Sequence, residues 1–190
     1  MKPRTTFYME SKEQSMKIPF IFSVPMAVAM AAAGCSSAPT DTPSAQAVMQ
    51  PTQGQSARGV VTFTQKREDV LVVASFSGLT PGGHGFHIHE KGDCSAPDAT
   101  SAGGHFNPAA KKHGHPHHGE HHSGDLPMLQ ADASGNASLT VTLSGISLRP
   151  DSSTNIVGRG LIVHAAPDDY QTQPTGNAGA RVACGIITVR

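Results

Sequence analysis

A chain of 190 residues with 37% hydrophobic and 15% charged residues has room for one compact domain and a sorting segment. Its formal net charge is zero, which excludes a polybasic nucleic-acid binder along the whole chain. With 20 Gly, 14 Pro and no Trp, the composition disfavours long helices and favours short strands joined by turns.

The N-terminus reads as an export signal. Lys17 precedes an apolar stretch from Ile18 to Ala33, too short for a membrane span, which runs into Ala33-Gly34-Cys35. The ending resembles a bacterial lipoprotein box, with Ala32 where such boxes usually carry Leu. Ordinary signal cleavage leaving Cys35 free is the alternative. Residues 1–35 are therefore expected to be a signal segment with Cys35 as the lipidation site. Glu10 and Glu13 are unlike a basic signal start, so Met16 is an alternative initiator. Of the 14 basic and 14 acidic residues, four and two lie in 1–35, so 10 and 12 remain, a net charge of −2. Attraction for an anion must then be local.

Residues 36–43, Ser-Ser-Ala-Pro-Thr-Asp-Thr-Pro, read as a flexible tether, and the folded domain is expected over 44–190. Strand patterns follow at Val60–Phe63, Val70–Phe76, Phe86–Glu90, Ala137–Leu143, Gly160–His164 and Val182–Val189. Turn signals separate them at Pro81-Gly82-Gly83, at Asp132–Asn136 and at Gly158. Regularly spaced short strands predict an antiparallel sandwich or barrel. Two regions break the rhythm, Lys91–Gln130 and Ala165–Ala180. Long loops of this kind in a compact domain are usually functional.

Ten of the 11 histidines fall between His84 and His122. His87 and His89 are two apart on a predicted strand, so both imidazoles point to one side while Ile88 faces the core. His105, His113, His122 and Asp125 offer three imidazoles and a carboxylate, a donor set suited to Zn²⁺. His164 ends the apolar strand Leu161-Ile162-Val163. Three cysteines permit three pairings; were Cys35 lipidated, Cys94 and Cys184 would be the pair left. Export allows a disulfide, and two free thiols are the alternative.

Six segments together carry a resemblance. They are Gly85-Phe86-His87-Ile88-His89-Glu90, Gly104-His105-Phe106-Asn107-Pro108, Lys112-His113-Gly114, His122-Ser123-Gly124-Asp125-Leu126, Leu161-Ile162-Val163-His164 and Gly176–Gly185. From about Ser44 to Arg190 the chain resembles a copper/zinc superoxide dismutase, and the segments keep that family's order. The resemblance implies an all-β fold, an eight-stranded antiparallel Greek-key β-barrel of immunoglobulin-like sandwich type with two long functional loops. It implies one copper and one zinc per subunit. Copper falls to His87, His89, His105 and His164, and zinc to His105, His113, His122 and Asp125, with His105 bridging. Arg181 binds the anionic substrate, superoxide. Asp168 matches an aspartate that accepts hydrogen bonds from a copper ligand (His87) and a zinc ligand (His113). Cys94 and Cys184 match the family disulfide.

In the family one superoxide reduces Cu(II) and leaves as oxygen. A second superoxide reoxidises copper and leaves as hydrogen peroxide, using a proton carried by the bridging histidine. For this chain the implied partner is superoxide, with no nucleic acid and no membrane contact except through the N-terminal lipid. A homodimer is allowed, and the location is the periplasm or cell envelope. The alternative function is a non-catalytic periplasmic copper- or zinc-binding protein, which is expected to have lost a copper ligand or the arginine; both are kept here.

Two departures from the family stand out. The loop Tyr170–Pro174 is shorter than in many eukaryotic members and lacks the Glu and Lys linked to substrate steering, leaving Lys111 and Lys112 as local substitutes. The run His113–His122 holds four histidines beyond the two zinc candidates: His115, His117, His118 and His121. They read either as a solvated loop or as a metal-capturing surface. His121 also competes with His122, although the three-residue step to Asp125 favours His122.

Overall fold

The computed structural model describes Met9 and residues 42–190, so the rest of the expected signal segment, Cys35 and the expected tether up to Asp41 lie outside the described residues. Ten strand segments follow in chain order. They are β1 (Ser44–Pro51), β2 (Arg58–Lys66), β3 (Asp69–Ser77), β4 (Gly82–His84), β5 (Phe86–His89), β6 (Leu129–Ala131), β7 (Ala137–Leu143), β8 (Gly160–His164), β9 (Arg181–Ile186) and β10 (Thr188–Val189). All pairings between them are antiparallel. The order across the sheet is β4-β6-β7-β3-β2-β1-β9-β8-β5, with β10 beside β1.

The two ends of that path, β4 and β5, are one strand broken only at Gly85. There the chain leaves β6 and joins β8, which brings the sheet's two edges together into a nearly closed barrel. A side chain at Gly85 would press on the Cβ of Ala178 at 2.6 Å, so only glycine lets the strand bend this close to the second loop. β9 and β10 are likewise one strand interrupted at Ile187. Merged at these two breaks, the ten segments are the eight strands of the expected Greek-key barrel.

The sequence reading missed β1, β4 and β6. Pro81-Gly82-Gly83 was expected to be a turn, yet Gly82 and Gly83 pair with Ala131 and Gln130. Glycine carries no strand signal of its own, and here it fits because Met128 and Pro167 leave no room above Gly83. The expected Lys91–Gln130 loop is also shorter and less irregular than read. It contains a 3-10 turn at Thr100–Ala102 and ends inside β6.

Alternation builds the core. In β3, Val70, Val72, Ala74 and Phe76 are buried, with polar or half-exposed residues between them. Phe63 and Phe86 are fully buried, each contributing about 1.5–3 kcal/mol relative to exposure. β5 and β8 break the alternation, since every residue in both is buried. Phe86, Ile88, Leu161 and Val163 fill the barrel, while Ile162 packs outward with Ala99, Ala102 and Cys184. The long loop therefore covers the outer face of the strands that carry His87, His89 and His164.

The Cys94–Cys184 disulfide fastens that loop to β9, with the two Cα atoms 5.9 Å apart. It spans 90 residues, worth ~4–5 kcal/mol in the chain-entropy view.

Candidate metal centre

The long loop is laced onto β5 by main-chain hydrogen bonds. Phe106 N donates to Ile88 O at 2.8 Å, Ile88 N to Gly124 O at 2.8 Å, and Glu90 N to Gly104 O at 2.9 Å. His89 and His105 are opposite each other in this ladder, and so are His87 and Asp125. A Cβ at Gly124 would collide with the Ile88 carbonyl, so glycine is required for the loop to lie this close. Register thus sets the loop's ligating residues directly against the strand's.

Among the described residues, three groups have ligand atoms within 4.8 Å of one another. The first is His87, His89, His105 and His164. The second is His105, His113, His122 and Asp125. The third is His87, His113 and Asp168. All are buried, and His105 belongs to the first two.

In the first group each ring has one nitrogen fixed from outside. His87 Nε2 meets Asp168 Oδ2 at 2.6 Å, His89 Nδ1 donates to Gly103 O at 2.9 Å, and His164 Nδ1 donates to Gly179 O at 3.1 Å. His105 Nδ1 turns to Asp125. The opposite nitrogens, His87 Nδ1 and the Nε2 atoms of His89, His105 and His164, are the only buried side-chain nitrogen or oxygen atoms among the described residues without a hydrogen-bond partner. Leaving one such group unpaired is costly, about 1–3 kcal/mol. Four converging, partnerless imidazole nitrogens fit a borderline metal ion such as Cu²⁺.

The second group converges on one oxygen. His105 Nδ1 and His113 Nδ1 lie 3.0 Å from Asp125 Oδ1, and His122 Nδ1 lies 3.4 Å from it. His122 Nδ1 is also 3.4 Å from His105 Nδ1. A tetrahedral ion with ligands at about 2.0–2.1 Å needs edges of about 3.3 Å, so this set fits Zn²⁺. The other Asp125 oxygen accepts the His122 and Gly114 main-chain N–H groups at 2.8 and 3.1 Å.

Asp168 joins the groups, accepting from His87 through Oδ2 and from His113 Nε2 through Oδ1 at 2.9 Å. A Cβ at Gly176 would strike this carboxylate and His113, which explains a glycine with φ +67° at that point.

Burial and charge tune the rings. Burial first, then the neighbouring His105, lowers His89 to about 2. Burial, then His87, lowers His164 to about 3. Burial lowers His105 to about 4 despite its bond with Asp125. These imidazoles stay neutral, the state in which nitrogen can ligate. At His113 burial opposes charge, but Asp125 and Asp168 outweigh it and raise the ring to about 9. Asp125 and Asp168 stay ionised: burial opposes this, and the histidine hydrogen bonds overcome it.

Arg181 starts β9 opposite His164, at a break in the register. Its Nη1 and Nη2 donate to the carbonyls of Ala99 and Gly103, both at 2.6 Å. Gly103 O therefore holds both Arg181 and His89. Arg181 as a whole is half-buried.

Every predicted ligand among the described residues falls into these groups. His121, the alternative to His122, lies outside them, with its Nδ1 facing Gly119 O at 3.2 Å. Three contributors escaped the sequence reading: the carbonyls of Gly103 and Gly179, and Gln173, whose side chain exchanges hydrogen bonds with the His113 main chain at 2.9 Å in both directions.

The sequence model of the copper/zinc superoxide dismutase family matches residues 57–187. A Cu-Zn superoxide dismutase of Caulobacter vibrioides is 47% identical over 150 residues, covering 76% of this chain and 85% of the relative. Superoxide dismutase [Cu-Zn] 2 of Aquifex aeolicus is 38% identical over 133 residues, covering 68% and 78%. Among solved structures, the crystal structure of the clock protein EA4 superposes with a TM-score of 0.71 at 40% identity, covering 78% of this chain and 96% of that one. With the fold, the two converging histidine groups and these likenesses in agreement, the chain belongs to the copper/zinc superoxide dismutase family.

Proposed function

We propose that the chain dismutates superoxide to oxygen and hydrogen peroxide, with one copper held by His87, His89, His105 and His164 and one zinc by His105, His113, His122 and Asp125. The observation that carries this reading is the set of four buried, partnerless ring nitrogens facing one another. When bound, copper supplies a one-electron couple that takes an electron from one superoxide and returns it to a second, while zinc is redox-inert.

The protein's own groups do the rest. His105 presents Nδ1 to the second group and Nε2 to the first, so a proton held on Nε2 lies where the reduced product needs it. Asp125 keeps Nδ1 engaged and the ring in place. Asp168 fixes the tautomers of His87 and His113 together, which orients both donor sets through one carboxylate. Arg181 is clamped by two carbonyls and offers its remaining N–H groups to the anion without coordinating a metal. Since the expected mature chain is slightly acidic, this local charge carries the attraction. Lys111 and Lys112 are exposed and add to it. Both donor sets are complete within one chain, so no ligand has to come from a second subunit. A purely metal-binding role is disfavoured because the four nitrogens and the arginine are all kept.

The test is metal analysis and dismutation measured on the same purified sample. Activity should track copper content, with one copper and one zinc at full activity. Full dismutation by a copper-free sample would overturn the mechanism.

We also propose that Cys35 is the lipidated first residue of the mature protein. Residues 36–43 then tether the 44–190 domain to a membrane, facing away from the cytoplasm in the periplasm or cell envelope. The box ending at Gly34-Cys35 supports this, as does the Cys94–Cys184 disulfide, which belongs in an oxidising compartment. Mass spectrometry of the purified N-terminus decides; an unmodified peptide running through Cys35 refutes the anchor.

A further inference from the structure

The histidines left outside both buried sets sit on one turn. His115-Pro116-His117-His118 closes with His118 N donating to His115 O at 3.0 Å. Proline suits the second position of such a turn, and Gly119 follows with φ +67°. Closing the turn brings its first and last side chains together. The His115 and His118 ring centroids are 4.7 Å apart, and those of His115 and His117 are 5.8 Å apart. In the second buried group the three ring separations are 5.3, 5.5 and 5.5 Å, so His115 lies at comparable distances from His117 and His118.

We propose that this turn is a third metal site, exposed and exchangeable, which takes Zn²⁺ or Cu²⁺ through His115 and His118 with His117 as a further ligand.

One ligand is anchored. The His115 ring stands edge-on against Tyr170 at 4.6 Å, and the Tyr170 hydroxyl accepts from Met128 N at 2.8 Å beside the barrel. His115 Nδ1 meets only the His117 N–H, at 3.2 Å, a long contact that an ion displaces. His117 and His118 are exposed, so both can turn toward the ion. An all-imidazole set without carboxylates selects late transition ions over Mg²⁺ or Ca²⁺. The ligand atoms here do not converge as tightly as in the buried groups, so the ion must draw the rings together. That ordering weakens binding and makes the site exchangeable.

The experiment uses the untagged mature chain with both buried sets filled and excess metal removed. Zn²⁺ is titrated by calorimetry and counted after equilibrium dialysis, against His115→Gln/His118→Gln. The wild type should bind one further Zn²⁺ with a dissociation constant on the order of micromolar. The double variant should bind it roughly tenfold or more weakly, with the dismutase activity of the loaded enzyme unchanged. Cu²⁺ in place of Zn²⁺ should give a second paramagnetic signal with nitrogen coupling that disappears in the variant. The single variant His118→Gln, at an exposed position, gives the same comparison if the double variant fails to fold. Absence of a further ion in the wild type, or its undiminished binding in either variant, overturns the proposal.

Discussion

His87, His89 and His164 stand on strands β5 and β8, whereas all four members of the proposed zinc set come from the loop that crosses those strands. The strand-borne rings are each pinned from behind, by Asp168 or by a carbonyl, and keep a bare nitrogen facing inward. The loop-borne rings instead share the carboxylate of Asp125, so without an ion they satisfy one another. The first set is thus preorganised by the barrel, and the second organises the loop. Changes in the loop set should act on the fold, and changes in the strand set on chemistry.

The largest effect on the fold is expected at Asp125. Asp125→Ala removes the acceptor of three imidazoles and two buried main-chain N–H groups. Breaking such a buried network costs about 3–5 kcal/mol. Zinc should be lost with it. Calorimetric melting and metal analysis of one sample check this; a variant that keeps its zinc and melts like wild type would show that the loop orders itself without the carboxylate.

Acid should separate the two sets in metal-stripped protein. His89, His164 and His105 have folded values of about 2, 3 and 4, all below the ordinary 6.5. The unfolded chain then binds more protons below pH 6.5, so this contribution is complete above 6.5 and is lost as pH falls toward 4 and below. His113, raised to about 9, works in the opposite sense: its contribution is complete below 6.5 and lost as pH rises through 9. The melting temperature of stripped protein should therefore peak near neutrality and fall on both sides. His113→Gln should abolish the alkaline fall; a fall that survives in that variant would assign it to another group.

His164→Ala tests the strand set alone. It removes one inward nitrogen and leaves Gly179 O without its partner, a loss of about 1–2 kcal/mol. Most copper and most activity should go, while zinc stays and the fold persists. Zinc loss equal to copper loss would mean that the two sets are not separable in this way.

How far the sequence revealed this division depends on what each part is made of. The clustering of His87 and His89 was legible from strand period, and that of His105, His113, His122 and Asp125 from side-chain type. The three-residue step from His122 to Asp125 favours His122 over His121, and it is His122 that clusters with Asp125. β3, β7 and β8 were legible from alternation or apolar runs. β4 was not, because Gly82 and Gly83 pair through their main chains and carry no side chain to alternate. The carbonyls of Gly103 and Gly179 were invisible for a similar reason, since every residue offers a carbonyl and only the fold selects which one faces a ring. Gln173 reaches His113 across 60 positions, and nothing in its local sequence marks it.

Arg181 should give the smallest effect on the fold and a clear one on rate. It is no ligand in either set, and its two hydrogen bonds end on carbonyls at the edge of the site. Unlike Gly179 O in the His164 variant, both carbonyls keep a second donor, Ala102 N at Ala99 and His89 Nδ1 at Gly103, so Arg181→Ala should leave copper, zinc and the melting temperature close to wild type. Removing a positioned cation from a site in a chain of zero formal net charge should lower kcat/KM by about tenfold to a hundredfold, and the residual rate should depend less on salt because less attraction is left to screen. Arg181→Glu should be slower still, since it places a repelling charge where the anion must arrive. Arg181→Lys discriminates position from charge. It keeps the cation but cannot hold the Ala99 and Gly103 carbonyls with two separate nitrogens, so it should recover attraction at low salt without restoring the full rate. Stopped-flow dismutation across an ionic-strength series, on samples of equal metal content, reads all three variants. If Arg181→Ala and Arg181→Glu both match wild type at low salt, the anion is drawn in by other charges, and Lys111 and Lys112 are the next to remove.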